Sequence, residues 1–201
     1  MSGFFSDEFN KHLVDGLQFE QYVYEWLEVH RGTRIKPCDS EYLQIQVGEN
    51  YFGLEIKLDR NFRKTGNLFI ETEERRTTDK RYYPSGIYRI DNSWLYGIGD
   101  FDGLYVFDKV RLRKYVDIAK IKGRHRFVEI AMKTSVGMLL PLTTVAGMEL
   151  AADTWDLCPV TADQLNKARG FKLPEPKKLK PSVDQASLFP ELIQASMGIG
   201  S

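Results

Sequence analysis

YLQIQVGENYFGLEIKL, residues 42–58, carries the pattern on which the fold turns. Apolar and polar residues alternate along residues 42–47, the two-residue period of a half-buried strand. Gly48-Glu49-Asn50 reads as a turn, and Tyr51 to Leu58 reads as a second strand. A β-hairpin is therefore expected. On its second strand Glu55 and Lys57 share one face, while Ile56 points the other way into a core.

Upstream, GLQFEQYVYEWLEVH (residues 16–30) is patterned as an amphipathic helix. Leu17, Phe19, Tyr22, Val23, Trp26 and Leu27 recur at three- and four-residue steps, and Gly32 follows as a stop. Downstream, Arg60 to Asn67 is a loop or short turn and Leu68 to Thr72 a short strand. Glu73 to Arg81 reads as an exposed loop. Trp94–Ile98 and Gly103–Phe107 flank a turn at residues 99–102 and suggest a hairpin. Lys109 to Lys120 has helical spacing, Phe127 to Met132 reads as a strand, and Thr161 caps a short helix to Ala168. Residues 136–150 carry no clear period. The expected class is α/β (α+β), a mixed central sheet flanked by helices.

The 201 residues suit one domain with a short tail. No apolar run approaches the roughly 20 residues of a membrane helix. MSGFFSDEFNKHL lacks the basic and apolar segments of a secretory signal. Two cysteines, Cys38 and Cys158, are too few for a disulfide framework, so a cytoplasmic protein with reduced thiols is expected. Formal net charge is zero, but its distribution is uneven. Residues 1–50 hold nine acids against four Lys or Arg. Residues 109–126 hold Lys109, Arg111, Arg113, Lys114, Lys120, Lys122, Arg124 and Arg126 against Asp117 alone. This is either a solvated face or a strip for phosphates.

The chemistry centres on Glu55 and Lys57. As an exposed pair on an edge strand they would be worth about 0–1 kcal/mol. Other carboxylates give them a second meaning. Asp39 lies just before the first predicted strand, and a hairpin could bring it beside Glu55. Glu20 on the upstream helix could add a third carboxylate. Phosphodiester hydrolysis uses such a set. Mg²⁺ takes oxygen ligands and retains waters, so one or two carboxylates suffice. It polarises the phosphate, while a nearby lysine stabilises charge developing on phosphate oxygens.

The ordered set resembles the PD-(D/E)XK nuclease superfamily. There an Asp precedes a hairpin whose second strand bears Glu-x-Lys, and an N-terminal helix often adds a Glu. LDRNFRKTGNLFIETEE (Leu58–Glu74) looks like a phage and bacterial subgroup through Asp59, Arg60, Thr65, Gly66, Asn67 and Glu71, as does Ser85-Gly86-Ile87. The resemblance spans roughly residues 16–107. It implies a restriction-endonuclease-like core, Mg²⁺ or Mn²⁺ as cofactor, and DNA as substrate. The catalytic residues would be Glu20, Asp39, Glu55 and Lys57, with Asp39 and Glu55 on the metal. DNA contacts would come from Arg60, Lys64, Thr65, Asn67, Lys109, Arg111, Arg113 and Lys114. One departure is Cys38, which separates Pro37 from Asp39 where the family often has Pro-Asp. Glu41, Gln44 or Gln46 could take the place of Asp39. A homodimer is compatible, as junction resolvases of this fold are dimers.

Composition shifts near residue 171, dividing the chain into 1–170 and a tail, 171–201. FKLPEPKKLKPSVDQ has three prolines and four lysines and reads as a flexible tether. Gln185-Ala186-Ser187-Leu188-Phe189 beyond it resembles the bacterial sliding-clamp-binding peptide, with Gln185, Leu188 and Phe189 as anchors. There is no phosphate-binding GxxxxGK[ST] loop, and His12, His30 and His125 lack metal-ligand spacing. Asp100 and Asp102 read as turn residues. The competing expectation is a non-catalytic DNA-binding or clamp-associated adaptor.

Overall fold

A computed structural model describes residues 4–38, 40–75, 80–130 and 134–170, with backbone alone for 4–13, 41, 45 and 46. In chain order the elements are α1 (Phe4–Arg31), α2 (Glu41–Gln46), β1 (Leu54–Leu58), α3 (Phe62–Thr65), β2 (Asn67–Glu74) and β3 (Tyr83–Pro84). A 3-10 turn (Gly86–Tyr88) leads to β4 (Leu95–Asp100), β5 (Gly103–Asp108), α4 (Lys109–Ile121) and β6 (Arg126–Glu129). The last elements are β7 (Ser135–Pro141), α5 (Leu142–Gly147), β8 (Asp153–Asp156) and α6 (Ala162–Gly170). The described residues up to Ala168 form one compact unit. Of a second unit, Arg169–Ser201, the described residues are the final two of α6. The proposed tail and its Gln185, Leu188 and Phe189 lie outside the described residues.

The class is mixed α+β. One four-stranded sheet has the order β1-β4-β5-β8, with β1 parallel to β4 and the remaining pairs antiparallel. The other is antiparallel, in the order β3-β2-β7-β6. Side-chain alternation divides the core in two. Leu54 and Ile56 of β1, with Leu104 and Val106 of β5, pack on Phe19, Val23, Trp26 and Leu27 of α1. Tyr96, Ile98 and Phe107, on the opposite face, meet Leu68, Ile70, Met138 and Leu140 of the second sheet and Leu112 and Val116 of α4. Each fully buried large apolar side chain contributes roughly 1.5–3 kcal/mol. Leu17 alone departs from the expected apolar stripe of α1, being 54% exposed.

The β4–β5 hairpin and the helix from Lys109 form as expected, and the 161–168 helix starts beside Thr161, whose Oγ1 accepts from Gln164 N at 3.2 Å. The 42–58 hairpin does not form. Residues 41–46 are helical, and the Ser40 Oγ caps that helix by accepting from Leu43 N at 3.3 Å. The two-residue alternation of a six-residue stretch is compatible with a short helix, and the cap decides between them. The second strand begins at Leu54, not Tyr51, and its partner is β4, forty-one residues further on in register. Untyped residues 136–150 become most of β7 and the whole of α5. Among the described residues no helix is long and apolar enough to cross a membrane.

Candidate functional site

Asn50 sets the start of β1. It is buried; its Nδ2 donates to Tyr24 Oη (3.1 Å) and Leu54 O (2.6 Å), while its Oδ1 accepts from Gly53 N (2.9 Å) and Leu54 N (3.2 Å). A side chain that satisfies four backbone and side-chain groups leaves the turn one geometry. That geometry lays Glu49 along the open edge of β1. Glu49 Oε2 accepts from Ile56 N at 3.1 Å, and its Oε1 pairs with Lys57 Nζ at 3.0 Å.

Glu55 and Lys57 share a face, as the alternation requires, and Glu55 Oε1 lies 3.2 Å from Lys57 Nζ. The other oxygen, Oε2, is 2.8 Å from Lys109 Nζ. Lys109 also bonds Ser93 Oγ and lies 3.3 Å from Asp91 Oδ1, while Arg89 Nε pairs with Asp91 Oδ2 at 3.2 Å. Glu55 and Lys109 are each 1% exposed. Lys109 is thus withdrawn from the expected phosphate strip: it is a buried counter-charge, and a phosphate cannot reach it. Burial works to raise Asp91, but Ser93 and Lys109 outweigh it and hold the carboxyl below its usual value.

Glu71, at the middle of β2, faces the same region. Its Oε1 accepts from Ser85 Oγ at 2.7 Å. Gly86 makes this approach feasible: it has φ +52°, and a Cβ there would stand 2.4 Å from Glu71 O. The Ser85-Gly86-Ile87 turn therefore sits directly on the backbone of β2.

Lys57 and Glu71 border a cleft of about 470 Å³, lined also by Asp15, Glu20, Arg60 and Tyr96. Burial, then the charge of Glu49, pushes the Glu20 carboxyl up to about 7, with Lys57 opposing and Glu55 adding. Burial also opposes the charge on Lys57, but Glu49, Glu55 and Glu71 outweigh it and hold the ammonium well above the ordinary lysine range. Lys57 is therefore a permanent cation at neutral pH, suited to stabilising negative charge and unsuited to taking a proton.

Three of the four expected catalytic residues, Glu20, Glu55 and Lys57, belong to this one cluster. The fourth, Asp39, lies outside the described residues. The segment before it runs beside the turn, with Cys38 N donating to Glu49 O at 3.0 Å and a bridge between Pro37 and Asn50. That bridge replaces the expected hairpin as the contact between the two segments. Of the alternatives to Asp39, Gln44 Nε2 donates to Cys38 O at 3.4 Å; the side chains of Glu41 and Gln46 lie outside the described residues.

The expected DNA-contacting residues divide. Arg60 lines the cleft and pairs with Asp15 at 2.9 Å. Lys64, Arg111 and Lys114 are exposed. Thr65 and Asn67 bond each other across Gly66, which caps α3 with φ +68°. Arg113 donates to Ile87 O and to Arg89 O, so it fastens the loop that carries the 3-10 turn. Asp59 likewise ties its loop, accepting from Asn61 N at 2.9 Å and Phe69 N at 3.0 Å. Asp100 is a turn residue, as expected, accepting from Asp102 N and Gly103 N. The sequence reading missed Glu49, Asp91 and Tyr96 at the site. The only signal for Glu49 was its position in the turn immediately before the Glu-x-Lys strand.

Among the described residues no group of three or more His, Cys, Asp or Glu forms a ready metal cage. The donors present are nonetheless carboxylate oxygens, the ligand type Mg²⁺ prefers, and Mg²⁺ can complete its shell with water. Lys57 stands among Glu49, Glu55 and Glu71, and burial, then Glu49, drives Glu20 toward its neutral form. The residues fit the ion. No family model, curated protein or solved structure matches the chain.

Proposed function

We propose that this protein is a metal-dependent DNA nuclease of the PD-(D/E)XK type, hydrolysing phosphodiester bonds at the Glu20–Glu55–Lys57 cleft. The observation that carries the reading is the convergence of carboxylates from α1, β1 and β2 around one half-buried, permanently charged lysine. Glu20 and Glu71, on the cleft wall, would hold Mg²⁺ or Mn²⁺, with waters completing the shell. When bound, that ion would neutralise phosphate charge and make a water more acidic. Lys57 Nζ supplies positive charge to a non-bridging phosphate oxygen. Glu49 holds Lys57 from the far side and so aims it. Lys109 fixes one oxygen of Glu55, leaving the other directed toward Lys57. Arg60, at the rim, suits a phosphate flanking the scissile one.

Labelled linear, single-stranded and four-way-junction DNA incubated with Mg²⁺, Mn²⁺ or EDTA tests this. Metal-dependent cutting that falls at least ~100-fold in Glu20→Gln is expected, the scale of a lost charge-stabilising group. A folded wild type that cuts none of these substrates would favour the adaptor reading instead. The clamp and a second copy of the chain remain proposed partners. Deletion of residues 181–201 should leave cleavage of free DNA unchanged and weaken clamp binding; equal clamp affinity would remove that partner.

A further inference from the structure

Tyr96 lies beside Glu55. The two are register partners in the parallel β1–β4 pair, so their side chains leave the sheet on the same face. The phenol is fully buried, and among the described residues nothing hydrogen-bonds its hydroxyl. Buried hydroxyls almost always have a partner, since leaving one unpaired costs free energy. Tyr96 also lines the cleft together with Lys57, Glu20 and Glu71. A phenol carries its proton at neutral pH. It is therefore a hydrogen-bond donor whose acceptor has to arrive from outside.

We infer that Tyr96 is a ligand-binding residue of the cleft, donating its hydroxyl hydrogen to an oxygen that enters with the ligand. This rests on the nuclease reading, which supplies two sources for that oxygen: a water carried by a hydrated divalent cation, or a phosphate oxygen of the nucleic acid. The apolar alternative, a hydroxyl stranded by accident against the core, explains neither its place on the cleft wall nor its pairing with Glu55.

Tyr96→Phe removes one oxygen atom and leaves the packing of the ring intact. In EDTA its melting temperature should equal or exceed that of wild type, because no bond within the protein is lost. A clear drop would show an intramolecular partner and overturn the inference. Two titrations follow, each on wild type and variant: Mg²⁺ alone, read by melting temperature, and a mixed-sequence DNA oligonucleotide with Ca²⁺ in place of Mg²⁺, read by fluorescence anisotropy. Mg²⁺ half-saturation weakened at least fivefold assigns the acceptor to water on the cation. Unchanged Mg²⁺ response with DNA binding weakened at least fivefold assigns it to phosphate. Both responses within twofold of wild type overturn the inference while leaving the nuclease reading in place. A wild type that responds to neither probe overturns both.

Discussion

Lys109 Nζ lies 2.8 Å from Glu55 Oε2, joining the first residue of α4 to the centre of β1 across fifty-four positions of sequence. Both side chains are buried, and Asp91 shares the same ammonium. Lys109→Met would take from Glu55 and Asp91 the buried cation they share, leaving only the half-buried Lys57 and Arg89 to pair them. Breaking a buried pair from one side costs about 3–5 kcal/mol. Urea denaturation should show a loss of that size; a loss below ~1 kcal/mol would mean that the pair is open to solvent.

Lys57→Ala acts on both chemistry and stability. Cleavage should fall at least ~100-fold, because the charge facing the phosphate is gone. The sequence alone suggests that folding is untouched, but Glu49 and Glu55 both pair with Lys57 at 3.0 and 3.2 Å. Their mutual repulsion should cost about 1–3 kcal/mol in EDTA, less than a fully buried pair because Lys57 is 34% exposed. Mg²⁺ should recover part of it. Thermal melts with and without the ion measure both effects.

Gly86→Ala places a Cβ 2.4 Å from Glu71 O at a residue with φ +52°. The 3-10 turn must move away from β2, at a cost of about 1–3 kcal/mol. Ser85 moves with it and releases Glu71. Stability and cleavage should therefore fall together. Ser85→Ala should weaken cleavage alone, because it leaves the turn in place. Parallel melts and rate measurements separate the two variants.

Asp100 gives a pH-dependent contribution. Burial works to raise its carboxyl, but Arg63 and the amides of Asp102 and Gly103 outweigh it and hold it below 3.8. Folding therefore favours the ionised form. The stability is present above the unfolded value and is lost as pH falls through the folded one. Arg63 is half exposed, so Asp100→Asn should cost only about 0.5–1 kcal/mol at pH 7. The gap between wild type and variant should close below pH 3.8 in urea titrations. A gap that persists unchanged at lower pH would assign it to turn geometry instead of charge.

Local pattern made much of this molecule legible. The alternation of Leu54 to Leu58 determined that Glu55 and Lys57 share a face with Ile56 turned into the core, because a strand has no other way to direct its side chains. The spacing of Phe19, Val23 and Trp26 determined which face of α1 is buried, and with it that Glu20 lies off that face. Glycine and aspartate at residues 99–103 determined the β4–β5 turn. Tertiary structure decided the rest. Residues 42–47 fit either a strand or a short helix until Ser40 caps them. Lys109 reads as one cation of a basic run, yet starting a helix at that residue, directly after β5, carries its side chain inward to Glu55. Tyr96 and Glu71 reach the cleft only because β4 lies parallel beside β1 and the Ser85–Gly86 turn seats on β2. Each of those contacts joins residues distant along the chain, and periodicity acts only between neighbours.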